Sequence, residues 1–371
     1  MLCDFGMRPT MQDDHVYAHP VVYLKIATNV DDILVAHKDK ALDQLVAHLS
    51  KRWTVKRMEL DGWLQNQFYL NRPQRTVTIT MDVRLAQWMK EHLPEEMGRE
   101  DLPTTPYHPQ LSQLNREDPL LSPEQAQLAR RVNAQMIYAV ASIYVHAQYT
   151  VYYIGRYSAH PTQLYLECSL HMLRHLYGTR HIGLTLGGVG ALQAGMHTPP
   201  PMEGLSGSHC DAGHAEPGPS TGGHTLDLDG VTIHAASGQH HAVTLGTTDA
   251  ETYELSRAVA ALIGFRDFMA ELGSPQLQAS PVHCDNSGSV QKVAGGKSDK
   301  GSLYMRRRNT FIQYASEQRL AAVTKIATEL NRADILTKIL SYKVYARMRD
   351  LILNVRASAA NVHRFVQWQV T

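Results

Sequence analysis

The sequence predicts a protein of mixed helices and strands, of the α/β or α+β class, that is divided into more than one domain. At 371 residues the chain is long enough for two or three hydrophobic cores. Apolar residues make up 43% and charged residues 19% of it, which is typical of globular rather than disordered chains. Segments with the alternating apolar pattern of strands lie between segments with the three-to-four-residue apolar repeat of helices.

Composition and residue spacing exclude several classes of protein. The formal net charge is +1, so nucleic-acid binding would require a local basic patch rather than an overall positive charge. The four cysteines, at positions 3, 168, 210 and 284, form no CxxC pair, which argues against a zinc site or a disulfide framework and fits a reducing compartment. The longest uncharged run, 132–155, contains polar residues that are costly in hydrocarbon, so it predicts two buried helices and not a membrane span.

The first half of the chain begins with a predicted β-hairpin and continues into helices. Apolar strands at 21–27 and 33–36 flank a turn that carries Asp31 and Asp32. Ser122 and Pro123 suit the N-cap and the first position of a later helix. The remaining elements that we expect are helices at 39–53 and 83–97, a strand at 76–81 and a proline-containing loop at 99–117.

A stretch rich in glycine and proline, at 187–205, predicts a linker into the second half. There Asp229-Gly230 lies between two alternating runs, which is a strong hairpin signal. Thr248 begins a predicted helix that ends before Pro275. The other expected elements, in order, are strands at 241–245 and 282–284, helices at about 286–294 and 304–317, a strand at 322–328 and a final helix from Asn331.

Four acidic residues of the second half stand in distinctive local settings. Asp211 follows Ser-His-Cys, Glu251 ends Thr-Thr-Asp-Ala-Glu, Asp285 precedes an asparagine, and Asp334 lies in Arg-Ala-Asp-Ile-Leu-Thr-Lys. Each also has a purely structural interpretation. Glu251 and Asp334 stand three residues after a possible N-cap residue, Asp285 together with Asn286 could cap the following helix, and Asp211 could begin a turn. Taken together, four separated carboxylates that converge would suit a site for two metal ions.

The motifs around these acids, in this order, resemble those of the ribonuclease H domain of copia-type retrotransposon Pol polyproteins. That family has Ser-Asp-Ala, then Leu-Ser-Ser-x-Glu-Ala-Glu, then Asp-Asn after a strand, and then Ala-Asp-x-x-Thr-Lys. The counterparts here are Cys210-Asp-Ala, Leu245-Gly-Thr-Thr-Asp-Ala-Glu, Cys284-Asp-Asn and Ala333-Asp-Ile-Leu-Thr-Lys. Upstream, the hairpin with Asp31 and Asp32 resembles the Tyr-Val-Asp-Asp hairpin of a reverse transcriptase palm.

This resemblance implies a domain organisation, a function and a set of partners. The implied segments are a partial reverse transcriptase palm at 1–85, a mostly helical thumb and connection at 86–186, the linker at 187–205, a ribonuclease H-like αβ sandwich at 206–345 and a C-terminal tail at 346–371. The segment before Asp31 is too short for the fingers and the third palm aspartate, so we expect part of a longer polyprotein, or a truncated gene model, without DNA polymerase activity. Expected partners are retroelement nucleic acid, including RNA–DNA hybrid, and the upstream fingers, palm and integrase segments, with no membrane. The implied location is the cytoplasm, in a virus-like particle, or the nucleus.

The implied chemistry is hydrolysis of the RNA strand of RNA–DNA hybrids with two Mg²⁺ ions, for which Mn²⁺ can substitute. Asp211, Glu251 and Asp285 would hold one ion, and Asp211 and Asp334 the other. Contacts to the 2′-hydroxyl groups would select the RNA strand. Asp31 and Asp32 would be polymerase-like metal ligands.

A compact basic run in the second half is the predicted contact with the hybrid. Arg306, Arg307 and Arg308 could bind phosphates of the nucleic acid, although three arginines in a helix could equally form a solvated face.

Several positions depart from the family pattern. Asn29 replaces the tyrosine of the palm motif, Ala-Gly-His-Ala-Glu follows Asp211 where the family has Ala-Asp-Trp-Ala-Gly, and the family's Lys-His-Ile…Tyr-His-Phe histidines are missing from 303–311. These departures favour an alternative function, that of a decayed or domesticated remnant that binds nucleic acid, or merely folds, without catalysis. The retention of all four acids favours the nuclease.

Overall fold

In the computed structural model of this chain, the strands form three sheets among the residues that the structure describes. These are residues 2–37, 40–58, 60–74, 76–187, 206–213, 219–228, 230–294 and 303–355. The predicted linker therefore lies almost wholly outside the described residues, as does the part of the predicted tail from 356 onwards.

The N-terminal sheet contains the predicted hairpin. Its strands β1 (Arg8–Pro9), β2 (Val16–Ala18), β3 (Leu24–Asn29) and β4 (Asp32–His37) pair antiparallel in that order. Asn29 pairs with Asp32, so Val30 and Asp31 form the turn. The predicted helix is present as α1 (Ala41–Leu49), shorter at both ends than expected. The residues buried between helix and sheet include Met7, Leu24, Ile26, Leu45 and Leu49.

A second antiparallel sheet joins distant parts of the chain. It consists of β5 (Gly62–Trp63), β6 (Asn66–Asn71), β7 (Thr76–Thr80) and β8 (Leu184–Gly187). The sequence did not predict β6, whose three apolar residues are contiguous and lack the alternation typical of a half-buried strand. Since β8 pairs with β7, strands from the predicted palm segment and from the predicted connection segment share one sheet.

Helices fill the segment between β7 and β8. They are α2 (Asp82–His92), α3 (Pro123–Ser142), α4 (Gln148–Gly155) and α5 (Gln163–Gly178). The predicted start of α3 is confirmed, because the hydroxyl of Ser122 accepts a hydrogen bond from the N–H of Gln125 at 3.3 Å and Pro123 is the first helical residue. The uncharged run 132–155 contains the second half of α3 and the whole of α4, so the two helices expected there are present. Among the described residues, no helix combines the length and the apolar character that a membrane crossing requires.

The third sheet has the order β11-β10-β9-β12-β13. Its strands are β9 (Ser206–Gly213), β10 (Thr221–Leu228), β11 (Val231–Gln239), β12 (Ser280–Cys284) and β13 (Ala321–Lys325). The first three pair antiparallel, whereas β12 is parallel to both β9 and β13. This is the ribonuclease H-like topology, so the predicted fold class is confirmed.

Helices cover both faces of the third sheet. On one face α6 (Thr247–Glu271) and α8 (Leu303–Glu317) pack over Cys210, Val282 and Cys284, and the short α7 (Ser287–Val293) lies beside them. On the other face, α9 (Tyr342–Ile352) and the helices α2 to α5 share a continuous apolar core with β11. The residues of this shared core include Tyr165, Leu173, Val231, Ala235, Leu336 and Tyr345.

Two of the elements predicted for this region are wrong. Residues 241–245 are irregular rather than a strand, because the β10–β11 pairing ends with the hydrogen bond from the N–H of His240 to the carbonyl of Ser220 at 2.8 Å and the chain bends directly afterwards. The final helix begins at Tyr342 and not at Asn331, which instead precedes a short 3₁₀ turn. The domain boundary expected at 345 lies inside α9, whose buried residues are Tyr345, Met348 and Ile352, and the domain division itself stays a prediction.

Candidate metal centre

Two of the four predicted acids lie at the ends of neighbouring parallel strands. Asp211 lies near the end of β9, and Asp285 directly follows β12. The two strands are in register, with Cys210 opposite Cys284. Asp211 and Asp285 therefore emerge side by side at one edge of the sheet, the first buried and the second half-buried.

Asp334 reaches the same place from the 3₁₀ turn Arg332–Leu336, which follows β13. Asn331 fixes this turn to the sheet. Its side-chain amide donates to the carbonyl of Cys210 at 3.0 Å, and its side-chain oxygen accepts from the N–H of Ala333 at 3.2 Å.

The carboxylates of Asp211, Asp285 and Asp334 converge. One oxygen from each lies within 4.8 Å of the other two. Hard divalent cations prefer carboxylate oxygens, so this set fits such an ion. The Oδ1 atom of Asp334 is buried without a hydrogen-bond partner among the described residues, a deficit that a bound cation would remove. Within the described ranges, no other three His, Cys, Asp or Glu side chains converge in this way.

Glu251 lies next to this group in the first turns of α6. Its side chain is buried, and its Oε2 lies 4.0 Å from the sulfur of Cys284. Burial, followed by the charges of Asp211, Cys284 and Asp285, raises the pKa of Glu251 above its usual value. No side chain caps the start of α6, so the interpretation of Thr248 and Glu251 as a capping box is wrong.

Asparagines rather than the predicted acids cap the other two elements. The side-chain oxygen of Asn286 accepts from the N–H of Ser289 at 3.0 Å, and Asn331 plays the same role for its turn. The carboxylates of Asp285 and Asp334 are consequently not used as caps and face the carboxylate of Asp211.

Thr337 and Lys338 also belong to the site, although the sequence predicted no role for them. The hydroxyl of Thr337 donates a hydrogen bond to Oδ2 of Asp211. The Nζ atom of Lys338 lies 3.0 Å from Oδ2 of Asp334 and 3.7 Å from Oδ2 of Asp211. Both residues belong to the Ala-Asp-Ile-Leu-Thr-Lys motif, which could have pointed to them. The contacts of Thr337 and Lys338 with the acids depend, however, on a 3₁₀ turn that the sequence did not predict.

Repulsion inside this cluster gives a prediction for the metal-free protein. Burial and the charge of Asp211 raise the pKa of Asp334 to about 7, although Lys338 opposes the shift. Such a carboxyl binds more protons when folded than when unfolded. Its contribution to stability therefore falls as the pH rises from about 3.9, the usual value for Asp, to about 7.

Asp334→Asn should therefore stabilise the metal-free protein, and more so at pH 8 than at pH 5, because an amide has no charge to repel Asp211. The measurement is the difference in thermal midpoint between variant and wild type in the presence of a chelator. Asp267→Asn, at an exposed position on α6, should give the same small difference at both pH values. A difference for Asp334→Asn that does not grow with pH would contradict the proposed repulsion.

A second buried polar cluster lies one turn further along α6. The carboxylate of Glu254, fully buried, accepts hydrogen bonds from His224 at 2.6 Å, His240 at 3.1 Å and Arg257 at 2.9 Å. Burial opposes its ionisation, but the hydrogen bonds from the two histidines outweigh burial and lower the pKa of Glu254 to about 2. The sequence analysis did not identify this cluster, because its members are far apart in the chain.

The two aspartates predicted as polymerase-like metal ligands do not belong to the carboxylate cluster. Asp31 and Asp32 are exposed at the tip of the β3–β4 hairpin. No third metal-ligating side chain of the described residues joins them. Their assignment as metal ligands stays a prediction.

The three predicted arginines of α8 differ in their surroundings. Arg307 and Arg308 line a surface cleft between α8 and α6 together with Arg257, whereas Arg306 does not. Arg308 donates to the hydroxyl of Ser256 at 2.6 Å, and its guanidinium lies 3.6 Å from the ring centre of Tyr253. These contacts hold one of the three positive charges of the cleft in place.

The chain is similar in sequence to a known retrotransposon polyprotein. The chain is 22% identical over 351 residues to the retrovirus-related Pol polyprotein from transposon TNT 1-94 of Nicotiana tabacum. The match covers 91% of this chain and 25% of that polyprotein, so the chain spans about a quarter of the relative's length. No protein-family model matches the chain.

Solved structures with similarity include ribonucleases H and a reverse transcriptase. LC11-RNase H1 in complex with an RNA/DNA hybrid is 23% identical, with a TM-score of 0.30 over 36% of this chain and 93% of its own. RNase H1 from Halobacterium salinarum NRC-1 is 18% identical, with a TM-score of 0.28, and the match covers 36% of this chain and 93% of that one. The foamy viral protease-reverse transcriptase in complex with dsDNA is 14% identical, with a TM-score of 0.32, and the match covers 56% of this chain and 42% of that one.

The order of the acidic motifs, the sequence match along most of the chain and the order of strands in the third sheet agree with one another. The chain is therefore similar along most of its length to part of a retrotransposon Pol polyprotein, and its third sheet has the strand order of a ribonuclease H-like fold.

Proposed function

We propose that this chain hydrolyses the RNA strand of RNA–DNA hybrids at the carboxylate cluster, with Mg²⁺ as its natural cofactor. The observation that carries the proposal is the convergence of Asp211, Asp285 and Asp334, which come from three separate segments of the chain. Glu251 adds a fourth carboxylate from α6. A fold gains no stability from collecting four acids in a partly buried place, so a cation-dependent function explains the arrangement better than structure alone.

The residues of the cluster fit two ions that share a ligand. Asp211 would be shared, Glu251 and Asp285 would complete one site, and Asp334 the other. When bound, two Mg²⁺ ions would lower the pKa of an attacking water and neutralise charge at the leaving 3′-oxygen. Thr337 orients the carboxylate of Asp211 through its hydrogen bond.

The arginine cleft between α6 and α8 would bind phosphates of the hybrid. Arg257, Arg307 and Arg308 line this cleft on the domain that carries the acids, and Arg257 also pairs with the carboxylate of Glu254 at 2.9 Å. Because the net charge of the whole chain is only +1, this local concentration is what makes the cleft a candidate for polyanion binding.

Arg307→Ala should weaken hybrid binding and reduce the slope of log affinity against log salt by about 1, since one phosphate contact is lost. Fluorescence anisotropy with a labelled hybrid over a range of salt concentrations measures both quantities. Arg306→Ala removes the same charge outside the cleft and should have a smaller effect. Equal effects of the two substitutions would contradict a specific role for the cleft.

A cleavage assay on matched duplexes tests the function itself. The full chain should cut the RNA strand of an RNA–DNA hybrid in the presence of Mg²⁺ or Mn²⁺, and a chelator should stop it. The same sequence as double-stranded DNA should remain intact, because it lacks the 2′-hydroxyl groups. Hybrid binding by a folded protein without any cleavage would favour the alternative of a remnant that has lost catalysis.

The wider context follows from the relative. We propose that the natural partners are retroelement nucleic acid and the polymerase and integrase segments of a Pol polyprotein, in a virus-like particle in the cytoplasm or in the nucleus. In such an assembly Asp31 and Asp32 would belong to a polymerase palm completed by upstream residues.

A further inference from the structure

One side chain of the candidate metal centre carries a positive charge. Lys338 follows Thr337 at the end of the 3₁₀ turn and stands four residues after Asp334. Its Nζ lies 3.0 Å from one oxygen of Asp334 and 3.7 Å from one oxygen of Asp211. The ammonium therefore contacts both carboxylates to which a shared cation would bind.

The position of Lys338 differs from that of the nearby Lys325. The ammonium of Lys325 contacts the main-chain carbonyl of Asp285 and not its carboxylate. Lys338 thus offsets negative charge at the Asp211–Asp334 pair itself, where the carboxylates repel one another.

A divalent ion and this ammonium compete for the same oxygens. Mg²⁺ binds carboxylate oxygens at about 2.0–2.1 Å, so an ion held by Asp211 and Asp334 would lie close to an ammonium that contacts those same two groups. Two cations at such a separation repel strongly. The side chain of Lys338 is 45% exposed and has a flexible four-carbon stem, so its ammonium can move out into solvent.

We propose that Lys338 is an internal counter-cation of the metal-free protein, which an incoming divalent ion displaces and which thereby sets the metal concentration at which the site fills. The inference rests on the proposed function only in taking Asp211 and Asp334 as metal ligands. Lys338 is in this sense a residue that tunes metal affinity, and it is not required for holding the ion.

Lys338→Met tests the proposal, because methionine keeps an apolar stem of similar length and removes the charge. We expect two opposite effects. The metal-free variant should unfold at a lower temperature than wild type, since its acids lose their counter-charge. Its affinity for Mn²⁺ and Mg²⁺, measured by titration calorimetry on the full chain, should increase about three- to tenfold, since no ammonium has to be displaced.

Matched variants separate a local effect from a general one. Lys338→Arg keeps the charge and should bind metal within about twofold of wild type. Lys292→Met removes a positive charge that pairs with Asp249 at 3.6 Å, outside the carboxylate cluster, and should leave metal affinity unchanged. Lys338→Gln provides a second neutral variant that should behave like the methionine variant.

The outcomes distinguish this inference from the proposed function. Metal affinity in Lys338→Met and Lys338→Gln that is equal to or weaker than in wild type would overturn the role of Lys338 while leaving the metal site in place. A folded wild-type protein that binds neither Mn²⁺ nor Mg²⁺ would overturn the metal site, and the counter-cation with it. Tighter binding by both neutral variants, with Lys338→Arg and Lys292→Met close to wild type, would support the proposal.

Discussion

Asp285→Asn should abolish cleavage of the RNA strand while leaving the protein folded. Asparagine has the shape of aspartate but lacks the negative charge that a divalent cation requires from its ligand. Asp285 is half-buried and caps no helix, since Asn286 performs that task for α7. We therefore expect a loss of at least about 1000-fold in the single-turnover rate, as for other groups that act directly on the reacting centre.

The cleavage assay needs two accompanying measurements. The thermal midpoint of Asp285→Asn in chelator should be equal to or above that of wild type, because one repelling charge has been removed. Asp267→Asn changes an exposed aspartate of the same domain and should cleave at the wild-type rate. Cleavage that survives in Asp285→Asn would show that the reaction takes place somewhere other than the carboxylate cluster.

Glu254→Ala should lower the free energy of unfolding by about 3–5 kcal/mol, the usual cost of removing one member of a buried charged group. The substitution leaves His224, His240 and Arg257 without the carboxylate that accepts their hydrogen bonds. Urea unfolding followed by circular dichroism measures the change. The exposed Glu317→Ala should change it by less than about 0.5 kcal/mol, and a similarly small effect of Glu254→Ala would contradict the role assigned to the cluster.

The lowered pKa of Glu254 also predicts how the free energy of unfolding of the wild-type protein depends on pH. The pKa of Glu254 is about 2 in the folded chain and about 4.3 in an unfolded one, so the unfolded state takes up a proton first as the pH falls. The stability that this carboxylate provides is complete above about pH 4.3 and is lost as the pH falls towards about 2. Glu254→Ala should lack this part of the acid dependence.

The sequence predicts the elements around the site well where the signal is local. Asp229-Gly230 predicts the β10–β11 hairpin, and Gly230 indeed has a φ of +77°, which favours glycine. The helix that carries Glu251 and the strand before Asp285 are likewise present. The segment 241–245 misled, because its alternating apolar residues Val243 and Leu245 are exposed and the segment pairs with no strand of the described residues.

The parts that were missed depend on contacts between distant residues. Lys338 and Asp211 are more than 100 positions apart, and their contact follows from how Asn331 attaches the 3₁₀ turn to β9. Arg257 joins Arg307 and Arg308 only because α6 and α8 pack side by side. Spacing along the chain gives no information about such pairs.

The attachment of β8 and α9 matters for how a polyprotein of this kind could be cut. The N–H of Thr185 in β8 donates to the carbonyl of Leu353 at 3.0 Å, and the hydroxyl of Tyr345 lies 2.8 Å from the imidazole of His175. Met348 and Ile352 are buried in the same core. A protease that cleaved the chain within 187–205 would therefore break its continuity without liberating the domain that carries the four acids, which would stay bound through α9 to β8 and to helix α5.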